Sequence, residues 1–114
     1  KDGTPLKTIL EYAEERGLAT GLISNDSLTG ATPASLFAKV HERNLTAAIF
    51  RQALAARVGD GVDVLIGSGR PGITAALAAA GTPLDQVAAA AGRPVLAGLE
   101  AVPPGAARAV VLLD

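Results

Sequence analysis

The chain has no cysteine, methionine or tryptophan among its 114 residues, and aromatic residues make up 3% of it. Without cysteine it has no disulfide framework and no thiolate metal site. So few aromatic side chains provide no stacking platform for single-stranded nucleic acid. The ten basic and eleven acidic residues are scattered without runs. We therefore expect no nucleic-acid partner.

Histidine and long apolar runs are scarce as well. The single histidine, His41, cannot build a histidine-rich zinc centre from this chain alone. The longest nearly apolar stretch, residues 73–80, is far shorter than the roughly 20 residues that span a bilayer, so we expect no membrane partner. The first residues show no basic-then-apolar signal segment. Because there is no methionine, we expect the sequence to be a segment of a longer protein.

The composition that is present is typical of one globular domain, with 49% hydrophobic and 18% charged residues. Apolar runs of strand length alternate with helical patterns along the chain. This alternation predicts an α/β fold with a three-layer arrangement, in which helices flank a largely parallel sheet. No linker divides the sequence, so we expect residues 1–114 to be a single α/β segment.

Cap residues and apolar spacing predict the elements. Thr4 is the predicted cap of a first helix that ends at Gly17, with a buried face that includes Leu6 and Ile9. Thr32, Asn44 and Thr82 are the predicted caps of the second, third and fifth helices. The predicted helices run from 5 to 16, from 33 to about 40, from 45 to 57, from 74 to 80 and from 83 to about 91. The predicted strands cover 18–24, 62–66, 94–96 and 109–113, and turns are predicted at Asn25-Asp26-Ser27 and Pro103-Pro104-Gly105.

The motif Gly67-Ser68-Gly69-Arg70-Pro71-Gly72 satisfies G-x-G-x-x-G and lies between a predicted strand and a predicted helix. In that context backbone N–H groups can approach a pyrophosphate at the start of the helix. Against this interpretation, Pro71 removes one donor and the strand is not the first of the fold. The alternative is a tight turn from strand to helix.

Three polar positions deserve a chemical interpretation. Asp26-Ser27 could suggest a serine nucleophile, but a hydroxyl needs a base or a metal, and the turn interpretation is favoured. His41 lies between two predicted helices, where a solvated or capping histidine is the ordinary expectation. Arg43 lies at the same junction, where a guanidinium can bind a phosphate with two hydrogen bonds. A surface arginine has the same local sequence, so both interpretations stay open.

Taken together and in order, several segments resemble the alkaline phosphatases. They are Thr8-Ile9-Leu10-Glu11, Gly17-Leu18-Ala19-Thr20-Gly21, Ala31-Thr32-Pro33-Ala34, then Arg43, and Gly61 to Arg70 (GVDVLIGSGR). The resemblance is collinear from about Asp2 to Arg70 and is looser beyond. It implies a segment of a metal-dependent phosphatase that hydrolyses phosphate monoesters through a phosphoserine, with zinc and magnesium in the complete enzyme.

By motif match, the resemblance gives Thr32 the role of a magnesium ligand and Arg43 that of the residue that holds the substrate phosphate. One position departs from the family pattern: two residues before Thr32 the family usually carries Asp or His, and this sequence has Gly30. The nucleophilic serine and most metal ligands of the family lie upstream or downstream of this segment. We therefore expect the isolated chain to be inactive and to hold no cofactor of its own.

The resemblance also implies a homodimer for the complete protein and a periplasmic or secreted location. Two alternatives stay open beside it. The first is a small, non-catalytic α/β module that binds a nucleotide or an anion through residues Gly67 to Gly72. The second is a fragment with no function of its own.

Overall fold

A computed structural model of the protein describes residues 3–55 and 58–114. Its elements alternate as the sequence predicts, and the fold is α/β. The helices are α1 (Ile9–Glu15), α2 (Ala31–Ala34), α3 (Thr46–Leu54), α4 (Arg70–Ala79) and α5 (Leu84–Ala91), with a 3-10 turn at Leu99–Ala101; the strands are β1 (Gly21–Ser27), β2 (Val64–Ser68), β3 (Val95–Leu96) and β4 (Ala109–Leu112).

The four strands form one sheet in the order β1-β2-β4-β3, and every neighbouring pair is parallel. The register places Leu22 beside Leu65 and Leu65 beside Val110. All three side chains are buried in the core. The predicted parallel sheet with flanking helices is confirmed.

Helices α3, α4 and α5 contact one another and share one core with the sheet. Phe50 of α3 is fully buried there, as are Ile73 and Leu77 of α4. Side chains alternate between the two faces of a strand, so Ile23 lies on the face opposite Leu22. Ile23 is 73% exposed. The main core therefore lies between the helices and one face of the sheet.

The first helix begins four residues later than predicted. Its cap is Thr8, whose hydroxyl accepts from the Glu11 N–H while the Glu11 carboxylate accepts from the Thr8 N–H. This reciprocal capping box satisfies two helix donors at once, and it explains why Thr4-Pro5 does not start the helix.

The predicted buried face of α1 is also wrong. Leu6 is 77% exposed and Ile9 is 81% exposed, whereas Glu11 and Glu14 are buried. Each of these carboxylates has partners: Glu11 binds the Thr8 N–H and Glu14 accepts from the Thr20 hydroxyl. Polar bonding, rather than apolar spacing, decides which face of this helix is covered.

Helix α2 has one turn, so the predicted extension to Val40 is wrong. Its cap is Gly30, and Thr32 lies inside the helix rather than at its start. After Ala34 the chain turns, because Phe37 enters the core and the Leu36 carbonyl accepts from Thr8 Oγ1.

Helix α3 has Leu45 at its cap position, without a side-chain cap bond, so the predicted cap at Asn44 is wrong. The helix ends at Leu54 rather than at the predicted Arg57, and Arg57 itself lies outside the described residues.

Strands β1 and β2 begin two to three residues later than predicted. The Thr20 carbonyl accepts from the N–H groups of Asp63 and Val64, and the ladder starts beyond these bonds. The predicted turn at Asn25-Asp26-Ser27 belongs to β1, because Ser27 pairs with Ser68 at the end of the ladder.

Helix α4 begins at Arg70, four residues before its predicted start, with Pro71 in its first turn. The predicted cap of α5 by Thr82 is wrong, since Pro83 is the cap residue and the Thr82 hydroxyl donates to the Leu77 carbonyl. The end of α5 at Gly92, the turn at residues 103–105 and both last strands are confirmed within a residue or two. None of the helices within the described ranges has the length and apolar character needed to cross a membrane.

Candidate phosphate-binding site

Arg43 lies in the segment that joins α2 to α3, which has no regular secondary structure, and its side chain is exposed. It lines a cavity of about 770 Å³. Thr29 and Ala31 also line this cavity, and both follow the carboxyl end of β1. In open α/β sheets, ligands bind outside the carboxyl ends of the strands. Arg43 is therefore exposed to a cavity at the end of the sheet where ligands are expected.

The rest of the cavity wall carries further polar side chains. Lys39 and His41 line it from the Arg43 segment, and Lys7 and Thr8 line it from the residues before α1. The Lys39 ammonium lies 3.2 Å from a carboxylate oxygen of Glu11, and that glutamate is buried. His41 is exposed, in agreement with the solvated histidine that the sequence predicts.

Bonds from two helices hold the segment that precedes Arg43. The Lys39 N–H donates to Gln52 Oε1 at 2.7 Å, and Gln52 Nε2 donates to the Lys39 carbonyl at 3.1 Å. On the other side, Thr8 Oγ1 donates to the Leu36 carbonyl at 2.9 Å. The backbone that leads into Arg43 is thus fixed to α3 and to the start of α1.

Thr32 is exposed on α2 and is absent from the lining of this cavity. Two residues earlier, the space beside Gly30 is filled by another side chain. A Cβ atom at position 30 would lie 2.6 Å from Asp26 Oδ2 and 3.1 Å from Asp26 Cγ. In any aspartate the carboxylate oxygens lie about 2.4 Å from the Cβ atom by standard bond lengths. The Asp26 carboxylate therefore lies in about the position that the carboxylate of an aspartate at residue 30 could occupy.

Three hydroxyl groups meet at the ends of β1 and β2. Ser27 Oγ lies 3.1 Å from Thr29 Oγ1, and Ser68 Oγ donates to the Asn25 carbonyl. The Ser27 N–H donates to Asp26 Oδ1, and within the described residues Ser27 forms no hydrogen bond with His41. These bonds tie the strand ends together and give Ser27 no general base within the described contacts.

The G-x-G-x-x-G motif forms the exit from β2 into α4. Gly69 has a φ of 94°, and a Cβ atom there would collide with the Ser27 side chain, so the turn requires glycine. The Arg70 N–H donates to the Leu113 carbonyl and Pro71 has no N–H. Two of the first donors of α4 are thus unable to bind an anion, and the tight-turn interpretation accounts for the glycines.

A second charged group, not predicted from the sequence, lies at the opposite end of the sheet. Carboxylate oxygens of Glu14, Asp60 and Asp63 come within 4.8 Å of one another. Arg108 Nη1 lies 2.9 Å from Asp60 and 2.7 Å from Asp63. Asp63 also accepts from the Thr20 N–H at 2.8 Å. These partners give the carboxylates a structural function.

Arg93, two residues before β3, belongs to the same charged group. It is 8% exposed, and its two Nη atoms donate to the carbonyls of Val62 and Asp63 at 2.7 and 3.0 Å. Burial lowers the pKa of Arg93, and the nearby Arg108 lowers it further. The signal for this group was present in the sequence, since Asp63 interrupts an otherwise apolar strand.

Burial also raises the pKa of Glu14 above its ordinary value of 4.5, and a hydrogen bond with Asp60 adds to the rise. The same hydrogen bond lowers the pKa of Asp60 below 3.8, helped by the charge of Arg108. The hydrogen bond between Glu14 and Asp60 therefore shifts the pKa values of the two carboxyl groups in opposite directions.

Comparison with known proteins identifies the family of the chain. The family model described as alkaline phosphatase matches residues 1–86, which include Thr32, Arg43 and the glycine-rich exit from β2. The chain belongs to the alkaline phosphatase family. The last two strands, with Arg93 and Arg108, lie beyond the matched residues.

Two curated relatives are similar to parts of the chain. Alkaline phosphatase 3 of Bacillus subtilis (strain 168) is 39% identical over 71 residues, which cover 60% of this chain and 15% of that protein. Streptomycin-6-phosphate phosphatase of Streptomyces griseus is 48% identical over 40 residues, which cover 35% of this chain and 9% of that protein. The chain thus spans a small part of the length of either relative.

Proposed function

We propose that this chain is a segment of a phosphatase that hydrolyses phosphate monoesters through a phosphoserine, and that Arg43 binds the phosphoryl group of the substrate. The family membership carries this proposal. The names of both relatives describe phosphatases, and one of them names a phosphate ester as its substrate. The family nucleophile and most metal ligands lie outside the segment, so the isolated chain is expected to be inactive.

The placement of Arg43 supports its proposed role. The guanidinium is a planar fork that can bind two phosphoryl oxygens at once and stabilise the charge that builds on them during transfer. The side chain is exposed beside a cavity large enough for a phosphate ester, at the carboxyl end of β1. Within residues 3–55 and 58–114 the Arg43 guanidinium forms no ion pair.

The proposed metal chemistry belongs to the complete enzyme. There zinc would lower the pKa of a bound nucleophile, and magnesium would be held by oxygen ligands. From this chain we propose the Thr32 hydroxyl as a magnesium ligand, as the resemblance implies. Gly30 offers no side chain, and we propose that the Asp26 carboxylate supplies the oxygen in its place, because it lies over Gly30.

The same proposal extends to the setting of the complete enzyme. By family resemblance we propose a homodimer in the periplasm or outside the cell. The anion-binding module is not favoured by the geometry, since the first amide of α4 already donates to Leu113.

The test is to recover the reading frame that flanks this segment and to assay its product for phosphomonoester hydrolysis at alkaline pH. We expect Arg43→Ala to lower kcat/KM about a hundredfold, the loss typical of one donor to a developing oxyanion. Arg16→Ala is the matched control, because Arg16 is exposed on α1 and does not line the cavity.

Two results would count against the proposal. A frame without serine, aspartate and histidine ligands on either side would remove the phosphoserine mechanism. An intact enzyme in which Arg43→Ala behaves like Arg16→Ala would remove the role of Arg43.

A further inference from the structure

The side chain of Gln52 binds both backbone groups of a single residue. Its Oε1 accepts from the Lys39 N–H at 2.7 Å, and its Nε2 donates to the Lys39 carbonyl at 3.1 Å. An amide side chain offers one acceptor oxygen and two donor hydrogens. Gln52 uses the oxygen and one hydrogen, and these match the N–H and the carbonyl of Lys39. We call this pair of bonds the Gln52 clamp.

The clamp fixes one end of the segment that carries Arg43. Helix α3 begins at Thr46 and includes Gln52, so α3 also fixes the other end of that segment. Between these two fixed points lie residues 40–45, with Arg43 among them. Without the clamp, the next backbone hydrogen bond towards α2 runs from the Ala38 N–H to the Ala34 carbonyl, so the free segment gains Lys39. A longer segment samples more conformations.

Lys39 is held by its side chain as well as by its backbone. Its ammonium lies 3.2 Å from the buried carboxylate of Glu11, and 19% of the Lys39 side chain is exposed. Glu11 is fixed in turn by the capping box with Thr8. The clamp and the ion pair together fix Lys39 against two helices, four residues before Arg43.

We propose that Gln52 is a positioning residue for phosphate binding: it orients the Arg43 guanidinium by fixing the backbone of Lys39. This inference rests on the proposed function, because it gives a second residue to the same site. A guanidinium that binds two phosphoryl oxygens must be held within a narrow range of positions. Gln52 itself touches no substrate in this scheme and acts through Arg43.

The experiment is a double-mutant cycle in the full-length protein, with inorganic phosphate as a competitive inhibitor. We expect Gln52→Leu to raise the inhibition constant of phosphate about tenfold, within the range for displaced positioning groups. In the Arg43→Ala background we expect the same change to have no further effect. Gln86→Leu is the matched control, since Gln86 is exposed on α5.

A purely structural role for Gln52 would produce the same loss in both backgrounds, and that result would overturn the inference. Gln52→Glu serves as a gentler variant if Gln52→Leu does not fold, because it keeps the acceptor and loses the donor. Amide hydrogen exchange provides an independent readout: the Lys39 N–H should exchange faster in Gln52→Leu, which removes its acceptor. Unchanged exchange would overturn the clamp, whereas an Arg43→Ala enzyme with unchanged phosphate inhibition would overturn the proposed function alone.

Discussion

At the scale of single residues, Gly30 and Asp26 share one space. The Asp26 carboxylate occupies the region that a side chain at position 30 would enter, and the Gly30 φ of −65° is open to any residue. The backbone would therefore accept an aspartate at position 30, but the neighbouring carboxylate excludes it. The residue at either position therefore limits which side chain fits at the other.

This exclusion predicts that Gly30→Asp destabilises the chain more strongly while Asp26 is present, although a Cβ atom at position 30 would also lie 3.0 Å from the Ser27 carbonyl oxygen. We expect the single change to lower the free energy of unfolding by about 2 kcal/mol through crowding and like-charge contact. The double variant Asp26→Ala/Gly30→Asp should recover most of that loss. Chemical denaturation of the three proteins measures it, and an equal loss in single and double variants would contradict the shared space.

The same pair tests the proposed magnesium ligand in the full-length protein. Asp26→Ala should weaken magnesium binding in equilibrium dialysis, and the double variant should restore it. Asp85→Ala is a suitable control, because Asp85 is an exposed aspartate on α5. Magnesium binding that is unchanged in Asp26→Ala and in the double variant would show that Asp26 is not a ligand.

The sequence predicts roles for Arg43 and Thr32 because short motifs carry them. It could not find Gln52, since the clamp joins residues 13 apart through a turn that no local pattern encodes. It also missed the Asp26 carboxylate over Gly30. That contact depends on β1 continuing to Ser27, and the polar residues there predicted a turn.

At the scale of elements, Arg93 connects the start of β3 to the start of β2. Its guanidinium is buried and donates to two carbonyls just before β2. These carbonyls belong to Val62 and Asp63. The Asp63 carbonyl also accepts from the Ala109 N–H at 2.9 Å, so the Val62 carbonyl is the one that depends on Arg93. The Arg93 guanidinium thus donates to backbone carbonyls here, as the N–H groups of neighbouring strands do further along the sheet.

We expect Arg93→Met to lower the free energy of unfolding by about 2 kcal/mol, because it leaves the buried Val62 carbonyl without a donor. Methionine keeps much of the apolar stem of arginine, so the loss reports mainly on the bonds. Arg16→Met, at an exposed position, should change stability little. A thermal midpoint that is the same for both variants would mean that water replaces the guanidinium at little cost.

The strands and helices themselves were largely predictable, and their boundaries were less so. Residues 62–66 form the clearest apolar run, yet β2 is Val64–Ser68, because the Thr20 carbonyl takes the N–H groups of Asp63 and Val64. The start of α1 shifted because one capping box satisfies more donors than a Thr-Pro pair. Boundaries follow from bonds between distant residues, whereas element type follows from local periodicity.

At the scale of the whole molecule, the raised pKa of Glu14 makes stability depend on pH. The pKa of Glu14 is raised in the folded protein, so the folded state binds more protons than the unfolded state above pH 4.5. Its contribution is fully present below pH 4.5 and is lost as pH rises through the folded pKa. Asp60 has a lowered pKa and acts in the opposite sense, since its contribution is lost as pH falls below 3.8.

We expect Glu14→Gln to remove the loss of stability at higher pH, because glutamine keeps a neutral group that can bond to Thr20 and Asp60. The measurement is urea denaturation between pH 3 and 8, with Glu42→Gln as a control at an exposed glutamate. The difference in unfolding free energy between Glu14→Gln and the parent should grow in favour of the variant as pH rises. A difference that stays constant with pH would rule out a titrating Glu14.

The strand order also has a consequence for synthesis on the ribosome. Strand β4 lies between β2 and β3 in the sheet, although it follows both in the chain. While the polypeptide is being made, β3 has no strand to pair with until residues 109–112 have left the exit tunnel. Translation at about 5–20 residues per second leaves β2 with one open edge during that interval. A chaperone or a nascent-chain protease would therefore meet the half-built sheet from the side that β4 later closes.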